Sequence, residues 1–172
     1  MNFCKLEENN LLLREITEND IQLIREWRNQ DYIRKYFINN DYISKQQQQE
    51  WFQKYLNTNN DIMFVIEETI ELQKAIGTVA LYNINSEKKN TEFGRLMIGY
   101  LPAYGKGFGK RAAILACKYA FEILNMREIH LNVLSCNFKA IQLYQEIGFA
   151  TNKIDSNQIY MVLNRETYFN QH

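Results

Sequence analysis

The sequence predicts an α/β fold built on one mixed sheet, and three observations carry that prediction. Strand-like apolar runs and helical apolar stripes alternate along the chain. Three strand candidates, 61–68, 74–84 and 91–99, follow one another closely enough for an antiparallel meander. A glycine-rich turn joins the last of them to a helix, and the next strand candidate follows that helix. If those two strands are parallel, their connection is a right-handed crossover.

In chain order, residues 11–16 read as the first strand. Thr17 and Asp20 resemble a capping box, and Ile21, Leu23, Ile24 and Trp27 give a helical stripe to about residue 29. Segment 30–43, rich in Asn, Asp and Tyr, reads as irregular. Ser44 and Gln47 start a second helix that buries Trp51, Phe52 and Leu56, with the glutamine run 46–49 on its solvated side. After the meander, Ala112, Ala116, Tyr119, Ala120 and Ile123 repeat at helical spacing from Gly109 to near Asn125. Residues 128–134 alternate as a strand, 137–147 form a short helix closed by Gly148, and 158–163 form the last strand. No linker or internal repeat interrupts this order, so residues 1–172 are expected to form a single domain.

Composition narrows the function classes. Twenty basic and twenty acidic residues cancel, which gives no general basic field for a nucleic-acid partner. Cys4, Cys117 and Cys136 fit neither a disulfide framework nor a zinc site, and only two histidines occur, so no metal is expected. The chain is polar by residue 5, without the apolar stretch of a signal peptide, and no apolar run approaches the ~20 residues that span a bilayer. A cytoplasmic protein without a membrane partner is expected.

The glycine-rich turn is the strongest chemical signal. Tyr104, Gly105, Lys106, Gly107, Phe108, Gly109, Lys110 and Arg111 lie between a strand and a helix start. Glycines permit close backbone approach, and free N–H groups at a helix N-terminus suit phosphate oxygens. Arg111 stands where a P-loop requires Ser or Thr, and the last glycine gap is too short for a dinucleotide fingerprint. A pyrophosphate site of another kind, or a tight turn without a ligand, remains.

This stretch resembles motif A of the GNAT acetyltransferases, Q/R-x-x-G-x-G/A, with Gly107 and Gly109 on the small positions and Tyr104 where that pattern has Gln or Arg. Downstream, Asn137, Ala140, Leu143, Tyr144, Gly148 and Phe149 match motif B, N-x-x-A-x-x-L-Y-x-x-x-G-F. The resemblance extends over about residues 11–163. It implies the GNAT fold, a mostly antiparallel sheet with one parallel pair (the strands at 91–99 and 128–134) flanked by helices. It also implies acetyl-CoA as co-substrate, a small-molecule amine as acceptor, and admits a homodimer. The loop 104–110 would hold the coenzyme pyrophosphate, Met97 and Ile98 the pantetheine arm, and Asn137 a further coenzyme contact beside its role as a helix cap.

The same resemblance implies that Tyr144 is the general acid toward the leaving thiolate. Glu92 resembles the acidic residue that many relatives carry on this strand, where it would deprotonate the amine through water; a solvated strand-end carboxylate is the other reading. Cys136 has no His-based partner apparent in the sequence, and GNAT enzymes generally transfer directly. Acceptor choice in the family lies mainly at the first two helices and their loop. Here Trp27, Arg28, Asn29, Arg34, Lys35, Tyr36 and Phe37 interleave cations with aromatics. That mixture suits a substrate carrying phosphate and a stackable ring, with Arg28, Asn29, Arg34 and Tyr36 as the binding candidates. It resembles the acetyltransferases of pseudaminic acid biosynthesis that modify UDP-linked 4-amino sugars. Spermidine and ribosomal-protein N-acetyltransferases are the alternatives, with a non-catalytic acyl-CoA-binding domain as the reading from another class.

Overall fold

The structure, a computed structural model, describes residues 5–172. Cys4 lies outside the described residues. Strand β1 (Lys5–Glu8) and β2 (Leu11–Glu15) form a hairpin. A 3-10 turn leads into α1 (Ile21–Arg28), then α2 (Asp31–Arg34) and α3 (Lys45–Leu56). The meander is β3 (Asp61–Glu68), β4 (Lys74–Asn85) and β5 (Asn90–Ile98). Helix α4 (Phe108–Lys118) continues as a π-helical turn to Ile123, followed by β6 (Glu128–Leu134), α5 (Phe138–Ile147), β7 (Ala150–Ile154), β8 (Gln158–Asn164) and α6 (Arg165–Gln171). One sheet runs β1-β2-β3-β4-β5-β6-β8-β7. All neighbouring pairs are antiparallel except β5 with β6.

The sheet is covered on both faces. On one, α4 brings Ala112, Ala113 and Ala116 close to Leu13, Phe64, Leu81 and Phe93, and α5 adds Tyr144 and Ile147. The small side chains let the helix axis approach the strands. On the other, Ile21, Ile24 and Trp27 of α1 and Phe52 and Tyr55 of α3 pack on Met63, Val65, Ala80 and Met97. Strand residues in this second cluster come from β3, β4 and β5 only, so the matching face of β6 and β8 stays outside it. A Cβ at Gly99 would lie 2.0 Å from Trp27 Cγ, which makes glycine the residue that lets α1 seat over the end of β5.

The Thr17 hydroxyl and backbone N–H both donate to Asp20 at 2.8 Å, and Arg14 donates two bonds to the same carboxylate. The capping box read from sequence thus also ties α1 to β2. Four elements go beyond the sequence reading: β1, β7, α2 and α6. Strands β1 and β7 are short, largely exposed edge strands, so neither carries the apolar alternation that marks a half-buried strand.

Candidate functional site

Strand β5 is the spine of the site. It pairs with β6 over only three rungs, Asn90 with Glu128, Thr91 with Ile129 and Glu92 with His130. Beyond Glu92 the two strands part, which leaves residues 93–98 of β5 without a partner on that side. The pairing of β5 with β4 also breaks, between Thr78 and Ala80, where Arg95 takes a φ of 51°. The Thr78 hydroxyl donates to the Arg95 carbonyl at 2.8 Å and fixes this bulge. The bulge rotates the strand, so Glu92, Gly94 and Met97 share the face toward α1–α3 while Phe93, Leu96 and Ile98 face α4 and α5.

At the far end of β5 the glycine turn bends into α4. Gly105 and Gly107 have φ of 77° and 81°, and Gly107 is the residue before the first helical turn. A Cβ at either would meet no atom within 4 Å, so glycine serves backbone conformation there rather than space. Gly109 is helical, with only Ile98 in contact range of its Cβ position. Phe108 is buried, while Tyr104, Lys106 and the Gly105 backbone are exposed on the loop surface. Lys139 of α5 places its Nζ 5.7 Å from the Tyr104 ring centroid. Lys110 is paired with Glu146 at 2.9 Å. Arg111, the last residue of the glycine-rich stretch, turns away and donates to Asn10 Oδ1 at 2.8 Å. Asn137 caps α5 by accepting from the Ala140 N–H. A free strand edge that leads to open amide groups at a helix start fits a pantetheine diphosphate.

Where β5 and β6 part, different groups stand on the two faces. On the α5 side Tyr144 is buried, its ring edge-on to Phe93 and Phe149 at 5.7 and 5.8 Å, and burial pushes its hydroxyl well above the ordinary phenol range. On the other side Glu92 accepts from Tyr82 Oη at 3.2 Å, Asn83 Nδ2 at 2.9 Å and Asn132 Nδ2 at 3.5 Å.

A cavity of about 350 Å³ opens on that second face, between β4–β5 and the α1–α3 segment. Ile24, Arg28, Phe37, Tyr42, Trp51, Thr78, Arg95 and Met97 contribute to its wall. Arg28 stacks its guanidinium 3.8 Å from the Phe37 ring centroid and donates to the Asn39 carbonyl, while its Nη1 is buried without a partner among the described residues. Burial, aided by nearby Arg34, lowers its affinity for a proton. Arg95 is held by Asp61 at 2.8 Å and lies over Tyr82.

The other acceptor candidates lie elsewhere. Asn29 spends both ends of its amide on the Ile43 backbone, at 2.8 Å each, and so staples the loop. Arg34 pairs with Asp31 and lines an outer groove with Lys35, Asn40, Asp41 and Tyr42. Tyr36 is exposed beside Lys35, outside the cavity wall. Gln47 and Gln48, read as solvated, line the cavity, and Gln48 is buried. Thr78 and Arg95 were not singled out as binding residues from sequence. No local pattern announces them, because the bulge that assembles them is a pairing event between strands.

The comparisons agree with this geometry. The acetyltransferase (GNAT) domain matches residues 10–150. Spermidine N(1)-acetyltransferase of Vibrio cholerae is 34% identical over 140 residues, 81% of this chain and 78% of that protein. Acetyltransferase PseH of Campylobacter jejuni is 29% identical over 149 residues, 87% and 88% of the two chains. The crystal structure of the V. cholerae spermidine enzyme with CoA and spermine superposes with a TM-score of 0.84 at 28% identity, covering 94% of this chain and 99% of that one. FdhC, described as a nucleotide-linked sugar GNAT, gives 0.81 at 26% identity, covering 97% and 93%. No helix among the described residues is long and apolar enough to cross a membrane. With its parted strands, glycine turn and motif-B helix, the chain belongs to the GNAT family and is an acetyl-CoA-dependent N-acetyltransferase.

Proposed function

We propose that the acceptor is a nucleotide-linked amino sugar, acetylated in the cytoplasm by direct attack on the thioester. The observation that carries this reading is Arg28. A guanidinium with a buried, unpartnered N–H is costly unless a ligand completes it, and an anionic oxygen completes it best. Phe37, Tyr42 and Trp51 line the same cavity and suit a nucleobase or sugar face. The likeness to FdhC, described as a nucleotide-linked sugar GNAT, supports the same class of acceptor.

The spermidine reading has the higher sequence identity behind it. The cavity chemistry favours the sugar nucleotide, since Asp41 is the one carboxylate among the cavity-lining residues while Arg28 and Arg95 both border it. A polyamine would bring several positive charges against those two cations.

In this reading β5 and the loop 104–110 position the coenzyme, with Asn137 and Lys139 at the neighbouring helix start. Tyr144 supplies the proton that the departing sulfur needs, and Glu92 marks the acceptor side with fixed negative charge. The test is acetyl-CoA turnover, read by free thiol, with a UDP-linked 4-amino sugar, spermidine and an N-terminal peptide as acceptors. The sugar nucleotide should turn over best, and Arg28→Gln should raise its KM by about 10- to 100-fold with the acetyl-CoA KM unchanged. Turnover of spermidine alone overturns the reading.

A further inference from the structure

We infer that His130 takes the proton from the attacking amine. The inference rests on the N-acetyltransferase activity and holds for either class of acceptor. His130 sits on the last rung that β5 and β6 share, opposite Glu92, where paired Cα atoms are about 4.8 Å apart. Side chains on one rung point to the same face of a sheet, and alternate residues of a strand share a face. Asn132, two residues along from His130, reaches Glu92 and so fixes which face that is. It is the acceptor face, opposite Tyr144.

The surroundings of His130 suit a group that accepts a proton. Its ring packs against Tyr160 at 5.7 Å between centroids, which limits its rotation. Its Nδ1 is buried without a hydrogen-bond partner among the described residues. Titratable groups face it from each strand: Glu128 on its own strand, Glu92 on β5, Tyr160 on β8 and, beyond Tyr160, Lys153 on β7, which is paired with Asp155. Burial and the nearby carboxylates Glu128 and Glu92 hold the Tyr160 phenol above its ordinary range, so it stays neutral. Glu92 has both carboxylate oxygens engaged by three donors, which makes it an anchored charge for the incoming ammonium rather than the group that cycles a proton.

The proton balance is complete. The ammonium gives one proton to His130, and the neutral nitrogen forms its bond to the thioester carbonyl carbon. The carbon–sulfur bond breaks and the sulfur takes the Tyr144 proton. The second proton lost by the nitrogen returns to the tyrosine, and His130 releases its own to solvent.

The test is the pH profile of kcat/KM for His130→Gln, with a UDP-linked 4-amino sugar and spermidine run in parallel. A failure of the acceptor reading shows in which amine turns over, while the His130 inference is decided by the profile on whichever does. The expected result is a kcat lower by about 100-fold and loss of the limb on which activity falls as pH drops. The acetyl-CoA KM and the melting temperature should be unchanged. Wild-type kcat, or a reduced kcat with that limb intact, overturns the inference. The chain has only two histidines, so carbethoxylation of His172→Gln gives a second measurement in a folded protein. Inactivation that hydroxylamine reverses supports the assignment, and full activity after modification overturns it.

Discussion

The phenol of Tyr144 is held between Phe93 and Phe149, and burial keeps it protonated throughout the pH range of the reaction. In the proposed mechanism the burial that weakens it as an acid also excludes water, and the phenol supplies the proton. Tyr144→Phe keeps every ring contact and removes only the hydroxyl. It should lower kcat by about 100-fold or more, with the melting temperature and acetyl-CoA KM unchanged, measured by free-thiol release. Unchanged kcat would take Tyr144 out of the mechanism. Arg28 follows the opposite logic: α1 buries its head group with incomplete bonding, which the proposed acceptor would complete.

At the scale of elements, β5 does three jobs because its pairing changes along its length. Its start is held by β6, its middle is bulged at Arg95 against β4, and its end offers a free edge toward the glycine turn. The turn then depends on residues that accept positive φ. Gly107→Ala places a Cβ where no atom obstructs it, so any effect comes from the left-handed conformation at 81°. Holding a non-glycine residue there costs about 1–2 kcal/mol. The acetyl-CoA KM should rise by about 5- to 30-fold, with kcat at saturation nearly kept, in a titration of the coenzyme. An unaltered KM would mean that the loop does not need that geometry to bind.

The whole sheet is tied at one end by a small polar node. Glu68, buried at the end of β3, accepts from Asn10 Nδ2 at 2.7 Å and from the Ile70 and Leu72 N–H groups, and Arg111 of α4 donates to the same Asn10. Burial alone would raise the Glu68 pKa, but these donors together outweigh it and hold the value at about 2, against 4.5 for a free glutamate. A depressed folded-state value means stability that is present in full above the unfolded pKa and fades as pH falls through the folded one. Glu68 therefore stabilises the fold above pH 4.5 and loses that effect between 4.5 and 2. In urea melts, Glu68→Gln should be less stable than the parent at neutral pH, and the gap should close across that window. A gap independent of pH would show that the carboxylate charge is not what the node uses.

Much of this was legible in the residues themselves. Gly105, Gly107 and Gly109 before a helical stripe, and the spacing from Asn137 to Phe149, pointed to the donor through local rules of turns and caps. The capping boxes at Thr17 and Ser44 set both helix starts, because a cap involves neighbours three residues apart. Tertiary structure decided the rest. The parting of β5 from β6 after Glu92, the bulge at Arg95, the use of Asn29 as a loop staple, and the meeting of His130 with Glu92 join residues that lie far apart along the chain. Local patterning reports which face of an element is apolar; only the pairing of strands determines where that pairing stops, and in this protein the candidate site lies where it stops.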